Sequence, residues 1–190
     1  MADQIFNVKQ LGTGYGVWED LRVPITAIKL GGVNDPNFVK TVDDGAGSTG
    51  LFTYHFDKAA EEEVFFAAQL PHSYKEGSDI SPHVHWAPTD TDTKDVIWGL
   101  EYAWVNINGT FTTSTIITIL QAGSGTALKH QIAYFDDISG TGKTISSMLM
   151  CRLFRDATAA LDDYDADASL FEFDFHYQRD TPGSQTESAK

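Results

Sequence analysis

Along this chain, apolar residues either alternate with polar ones or gather in short runs, and Gly, Pro, Asn or Asp closes each run. A period of two with frequent breakers describes half-buried strands, and a succession of them predicts an all-β sandwich or barrel. Strands are predicted at 16–21, 51–56, 63–69, 83–87, 96–106, 110–120, 129–135, 146–155 and 169–179. Helical period shows only weakly, at 157–164, where a turn or two could form.

The sharpest local signal is Asn108-Gly109 between two β-rich runs, which supplies the positive φ angles of a tight hairpin turn. It predicts antiparallel pairing of 96–107 with 110–120. Asn108-Gly109-Thr110 also fits a glycosylation sequon, but without a secretory signal it is read as a turn. The segment 169–179 alternates cleanly, which predicts Phe171, Phe173, Phe175 and Tyr177 on a core face and Glu172, Asp174 and His176 on the opposite one.

Between these strands, 27–50 holds Gly31-Gly32, Asn34-Asp35-Pro36 and Gly45-Ala46-Gly47-Ser48. It is predicted to be a long surface arm able to reach a neighbouring molecule. The stretch 180–190 is polar and carries no core of its own. The organisation expected is therefore one β-sandwich domain over 1–190, with an extended N-terminal segment, the arm at about 27–50, and the polar tail 180–190.

Composition narrows the class. The chain has 190 residues, 42% hydrophobic and 21% charged, enough for a full core in one domain. Its formal net charge of −14 disfavours nucleic acid as a partner, because phosphate binding draws on Lys and Arg. The acidic excess runs through both halves, 15 acidic against 7 basic residues in 1–100 and 12 against 6 in 101–190, so charge marks no domain boundary. Cys151 is the single cysteine and excludes an intramolecular disulfide. No run approaches the ~18 apolar residues of a membrane span. The first ten residues lack the basic flank and apolar stretch of a signal peptide, which predicts synthesis in a cytoplasm without export.

Several patterns touch on chemistry. Pro82-His83-Val84-His85-Trp86 places two imidazoles on one strand face, so His83 and His85 are metal-ligand candidates, but the Glu of a cupin-type site does not follow and no third ligand is defined. The alternative is that both histidines, with Trp86, serve a subunit contact. Ser139-Gly140-Thr141-Gly142-Lys143-Thr144 resembles the end of a P-loop, yet its first glycine is replaced by Asp137 and a strand, not a helix, is predicted to follow. It is read as a glycine-rich turn.

Asp163, Asp165 and Asp167 have EF-hand spacing, with Asp174 at the twelfth place, but Ala168 stands where glycine is needed, which favours a solvated acidic loop. Glu172, Asp174 and His176 could do acid–base work; ion pairing with Arg152 and Arg155 of a neighbouring strand, within the sheet or between subunits, is the preferred reading. Trp18, Trp86, Trp98 and Trp104 are candidate sugar-stacking platforms or core. No nucleophile elbow and no Cys–His pair is evident, so neither catalysis nor a cofactor is expected.

Four stretches, Val17–Pro24, Leu70–Asp79, Pro82–Trp86 and Phe173–Tyr177, together with the ending 180–190, resemble a family of small virion proteins of tailed phages and prophages. The resemblance runs along nearly the whole chain. It implies a jelly-roll β-sandwich with long loop arms and a capsid decoration or cement role. Such a protein would be a homo-oligomer, by analogy a trimer, binding and stabilising the major capsid protein shell at the virion surface. It implies no catalytic residues.

Interface candidates are Trp86, His83, His85, Arg152, Glu172, Asp174 and His176. The competing readings are a head-fibre, neck or tail protein with host-surface or carbohydrate binding, and a metal-dependent β-barrel enzyme.

Overall fold

A computed structural model describes residues 16–190. The extended N-terminal segment expected before Gly16 lies outside the described residues. Ten strands run in chain order: β1 (Val17–Pro24), β2 (Asn37–Val42), β3 (Leu51–Phe56), β4 (Glu61–Gln69), β5 (Ile80–Pro88), β6 (Asp95–Val105), β7 (Thr115–Ala122), β8 (Gln131–Tyr134), β9 (Met148–Asp156) and β10 (Ala168–Arg179). The described helical structure is one 3-10 turn at Ile25–Ala27, and the weak helical period at 157–164 forms turns instead.

The pairings are nested: β3 pairs with β10, β4 with β9, β5 with β8 and β6 with β7, all antiparallel. A long hairpin folded over itself in this way is a jelly roll, and its pairs fall alternately into two sheets. One sheet has the order β2-β3-β10-β5-β8 with β1 also on β10; the other has the order β4-β9-β6-β7. The jelly-roll sandwich expected from the sequence is therefore the fold.

Alternation fills the space between the sheets. Val84 and Trp86 of β5, Trp98 and Leu100 of β6, Leu149 and Leu153 of β9, and Phe173 and Phe175 of β10 are all buried. Each large apolar side chain so placed stabilises the fold by about 1.5–3 kcal/mol. Aromatic edges lock the middle, with Trp98 against Phe56 at 5.1 Å and against Trp86 at 6.0 Å.

Four expectations need correction. Phe171 does not share the core face of Phe173: a register shift between Leu170 and Glu172 takes it out of the alternation. Ala168 and Leu170 point inward in its place, and Phe171 meets the edge of His130. The bulge sits where β10 changes its neighbour from β3 (Ala168 to Leu170) to β1 (Glu172 to Arg179), and one extra residue supplies the added twist.

The arm 27–50 is not all loop, because Asn37–Val42 forms β2 on the edge of β3. The β6–β7 hairpin exists, but its last pair is Tyr102 with Thr115, so the connection is long rather than two residues. Asn108 has the expected positive φ of 63° and the Gly109 N–H closes a turn on the Asn106 carbonyl at 2.9 Å, while the Asn106 side chain bonds the Gly142 carbonyl and the Thr144 N–H and residues 110–114 leave the ladder. The glycine-rich segment 139–144 is a turn, as expected, and Gly140 is needed there because a Cβ would lie 1.7 Å from the Ser78 carbonyl oxygen.

Arg152 and Arg155 do not pair with Glu172 and Asp174, since β9 and β10 belong to different sheets. Arg152 lies on the outer face of the smaller sheet between Glu61, Glu63 and Glu101, at 2.9, 2.6 and 2.9 Å. Arg155 points inward and is fully buried. It bonds both oxygens of Asp162 and the carbonyls of Phe56, Tyr164 and Ala166, so every direction of its fork is met.

Candidate functional site

The outer face of the larger sheet carries the densest set of polar and aromatic side chains. Period two on β10 turns Phe173, Phe175 and Tyr177 into the core and sends Glu172, Asp174 and His176 to the opposite side. β1 flanks them with Asp20 opposite His176 and Arg22 opposite Asp174. β5 flanks them on the other side with His83 opposite Asp174 and His85 opposite Glu172, and β8 follows with Tyr134 opposite His83.

Asp174 is the centre of this face and is itself buried. One oxygen accepts from His83 Nδ1 and the other from His85 Nε2, each at 2.9 Å. His85 Nδ1 lies 2.8 Å from His130 Nε2. The network assigns the tautomers: His83 carries its proton on Nδ1, His85 on Nε2, and His130 donates to His85.

His176 turns the other way. Its Nδ1 bonds Asp20 at 2.6 Å and its ring stacks flat on Trp18, centroids 5.1 Å apart with 5° between planes. The His83 ring meets the edge of Tyr134 at 4.9 Å. Arg22 grips Glu172 with two N–H groups, and that hydrogen bond and charge raise the guanidinium above its ordinary value.

The residues singled out in the sequence are therefore partly gathered. His83, His85, Glu172, Asp174 and His176 share one face: alternation groups the members of each strand, and the pairing of β5 with β10 brings the two groups together. His83 and His85 do not chelate as a pair: Asp174 holds both, and His85 spends its remaining nitrogen on His130. Among the described residues no group of three His, Cys, Asp or Glu converges as a metal site.

Trp86 has no exposed surface and belongs to the core, so it cannot be a contact residue, and Arg152 lies on the other sheet. Of the four tryptophans, Trp86, Trp98 and Trp104 are buried, while Trp18 is 48% exposed. Asp163 accepts from the Asp95 N–H, Asp165 pairs with Lys58, and Asp174 is engaged as above, so the EF-hand spacing gathers no common ligand set. Asp20, Arg22, His130 and Tyr134 went unremarked in the sequence; the alternation Trp18, Asp20, Arg22 was the signal available for two of them.

A second feature lies on the smaller sheet, where a cavity of about 340 Å³ is lined by Phe65, Tyr102, Phe111, Met150 and Arg152 among others. Burial works against the charge of Arg152, but the carboxylates of Glu63, Glu61 and Glu101 outweigh it and raise the guanidinium overall. Three carboxylates more than counter its single charge, so the cavity joins an apolar floor of Phe65, Phe111 and Met150 to an acidic rim. Cys151 beside it is buried, and burial alone pushes its thiol up, so it is no nucleophile.

No family model matches the chain, and no curated protein does. Solved structures share its outline at low identity. A Paenibacillus cycloisomaltooligosaccharide glucanotransferase, complexed with cycloisomaltoheptaose, matches with 11% identity and a TM-score of 0.49; the match covers 80% of this chain and 17% of that one. A family 35 carbohydrate-binding module from Clostridium thermocellum matches with 9% identity and a TM-score of 0.45, covering 83% and 97% of the two chains. The infectious bursal disease virus Gx strain structure matches with 11% identity and a TM-score of 0.37, covering 83% and 39%. The ligands and assemblies named for these proteins are their own.

Proposed function

We propose that this chain is a non-catalytic structural protein of a tailed-phage particle, a decoration or cement protein that binds the major capsid protein shell as a homotrimer. It would be made in the host cytoplasm and end on the virion surface. The observation that carries this reading is the arm built from β2 and β3. Phe38 is 58% exposed and Leu51 69%, with Val39 and Val42 exposed beside them.

Phe38 rests on Phe52 and Tyr54, at 5.4 and 5.0 Å, so one face of the arm carries an ordered aromatic cluster, and Val39, Val42 and Leu51 project from the other. β2 also ends its sheet, with one side of its backbone unpaired among the described strands. Natural edges are normally blunted by charge or covered, and an apolar edge suits a strand that a neighbouring subunit covers. The resemblance of four stretches to phage virion proteins supplies the choice of neighbour.

The test is to mix the purified protein with shells of the parent particle that lack it. Saturable binding at threefold positions and a higher shell melting temperature are expected, and the Phe38→Lys, Leu51→Lys double variant should stay folded and lose binding. A folded wild-type protein that ignores the shell overturns the reading.

One observation favours a second reading, a head-fibre, neck or tail protein that binds host-surface carbohydrate. Trp18 is open to solvent on a face rich in carboxylate and imidazole hydrogen-bonding groups, and exposed rings of this kind stack on sugars. In that case Trp18→Ala abolishes glycan binding and leaves shell binding untouched.

A further inference from the structure

We infer that His83 and His176 form a two-imidazole site for a divalent cation of the later first transition row, copper(II) most strongly and zinc after it. This goes beyond the shell-binding reading and does not depend on it. In each of these residues Nδ1 is committed to a carboxylate, His83 to Asp174 at 2.9 Å and His176 to Asp20 at 2.6 Å. Each ring is therefore held in one tautomer with the lone pair on Nε2, and neither Nε2 has a hydrogen-bond partner among the described residues.

A carboxylate behind an imidazole is the outer shell that metal-bound histidines use: it fixes the ring and raises the basicity of the ligating nitrogen. Here two such units lie side by side on adjacent strands, β5 and β10, with ring centroids 6.0 Å apart. Two imidazoles sharing one ion through bonds of about 2.0–2.1 Å place their centroids roughly 5–6 Å apart, and the observed spacing fits that range.

The choice of pair follows from the nitrogens. His85 donates Nε2–H to Asp174 and turns Nδ1 to His130, which leaves it no free lone pair. His83 and His176 are neighbours in space without being neighbours in sequence, which is why the His83-Val84-His85 spacing pointed to the wrong partner. Both rings are further braced, His176 by Trp18 and His83 by Tyr134, so the ligands are held before the ion arrives. With two protein ligands, water or an anion completes the coordination, and imidazole selects copper and zinc over magnesium or calcium.

The experiment is titration of the full chain with CuCl2 and, separately, ZnCl2 by calorimetry, with electron paramagnetic resonance of the copper form. One ion per chain is expected, with hyperfine coupling to two nitrogens. His83→Gln and His176→Gln should each weaken binding tenfold or more, and His85→Gln should leave it within about twofold. Asp20→Asn, a positioning change, should weaken it several-fold without removing a nitrogen coupling.

Unchanged near-ultraviolet circular dichroism confirms that the variants fold. Diethyl pyrocarbonate labelling of the unaltered protein gives a reading free of variants, since zinc should protect His83 and His176 but not the exposed His130. Absence of binding, wild-type affinity in His176→Gln, or loss in His85→Gln with His176→Gln unaffected overturns the inference.

Discussion

His55 shows how one side chain ties local packing to solution behaviour. It is buried on β3, where its Nε2 lies 3.1 Å from Thr41 Oγ1 at the start of a hydroxyl chain that continues through Thr53 to Ser169. Burial lowers its imidazole below the ordinary value, and the more distant charge of Asp167 offsets only part of that. The folded state therefore binds a proton less readily than the unfolded chain.

A group of this sign costs nothing at high pH and destabilises the fold as pH drops through the unfolded value, near ~6.5, towards the folded one. Urea unfolding midpoints should fall between about pH 7 and about pH 5, and His55→Gln should shrink that fall. An equal slope in the variant would mean that His55 takes up its proton alike in the folded and unfolded states over that range.

At the scale of elements, close approach between strands fixes what a position tolerates. Gly99 on β6 lies opposite Phe154 on β9, and a Cβ at Gly99 would lie 2.1 Å from the Phe154 ring. The ring covers the glycine and carries Arg152 above it at 4.2 Å. Gly99→Ala must push that ring and the guanidinium over it, so a loss of about 1–3 kcal/mol is expected by urea denaturation. Gly99→Ala combined with Phe154→Leu should recover part of the loss, because the clash is with the ring and not with backbone.

Such pairs also explain what was legible beforehand. Strands with one dry and one wet face, β5 and β10 above all, announce themselves by period two, which groups His83 with His85 and Asp174 with His176, but only the sheet order brings the two groups to one face. β2 did not, because nearly all of Asn37–Val42 is exposed and no alternation between core and solvent marks it. The partners of Arg152 and Arg155 were hidden for a different reason. Their spacing of three on a strand says that they face opposite ways, but only the sheet order says which carboxylates wait there.

For the whole molecule, nested pairing makes β10 the keystone: it joins β1, β3 and β5, so the larger sheet cannot close until β10 is in place. This sheet, with the smaller one behind it, must hold together under a net charge of −14. Ion pairs relieve part of the repulsion, but Lys40–Asp43, Lys58–Asp165 and Arg22–Glu172 reach into solvent, where water and salt screen the attraction and leave little net gain.

Salt should then act in two directions that separate the forces at work. Screening shortens from about 10 Å at ~0.1 M to about 3 Å at ~1 M, so self-repulsion weakens and the melting temperature of the free protein should rise with NaCl. Docking driven by the acidic surface against a basic shell should weaken over the same range, whereas docking through Phe38, Val42 and Leu51 should hold or strengthen. Measuring both responses on one preparation assigns the contact: shell affinity that survives high salt while the free protein grows more stable places the bond at the apolar β2–β3 arm, and affinity that collapses moves it to the charged faces.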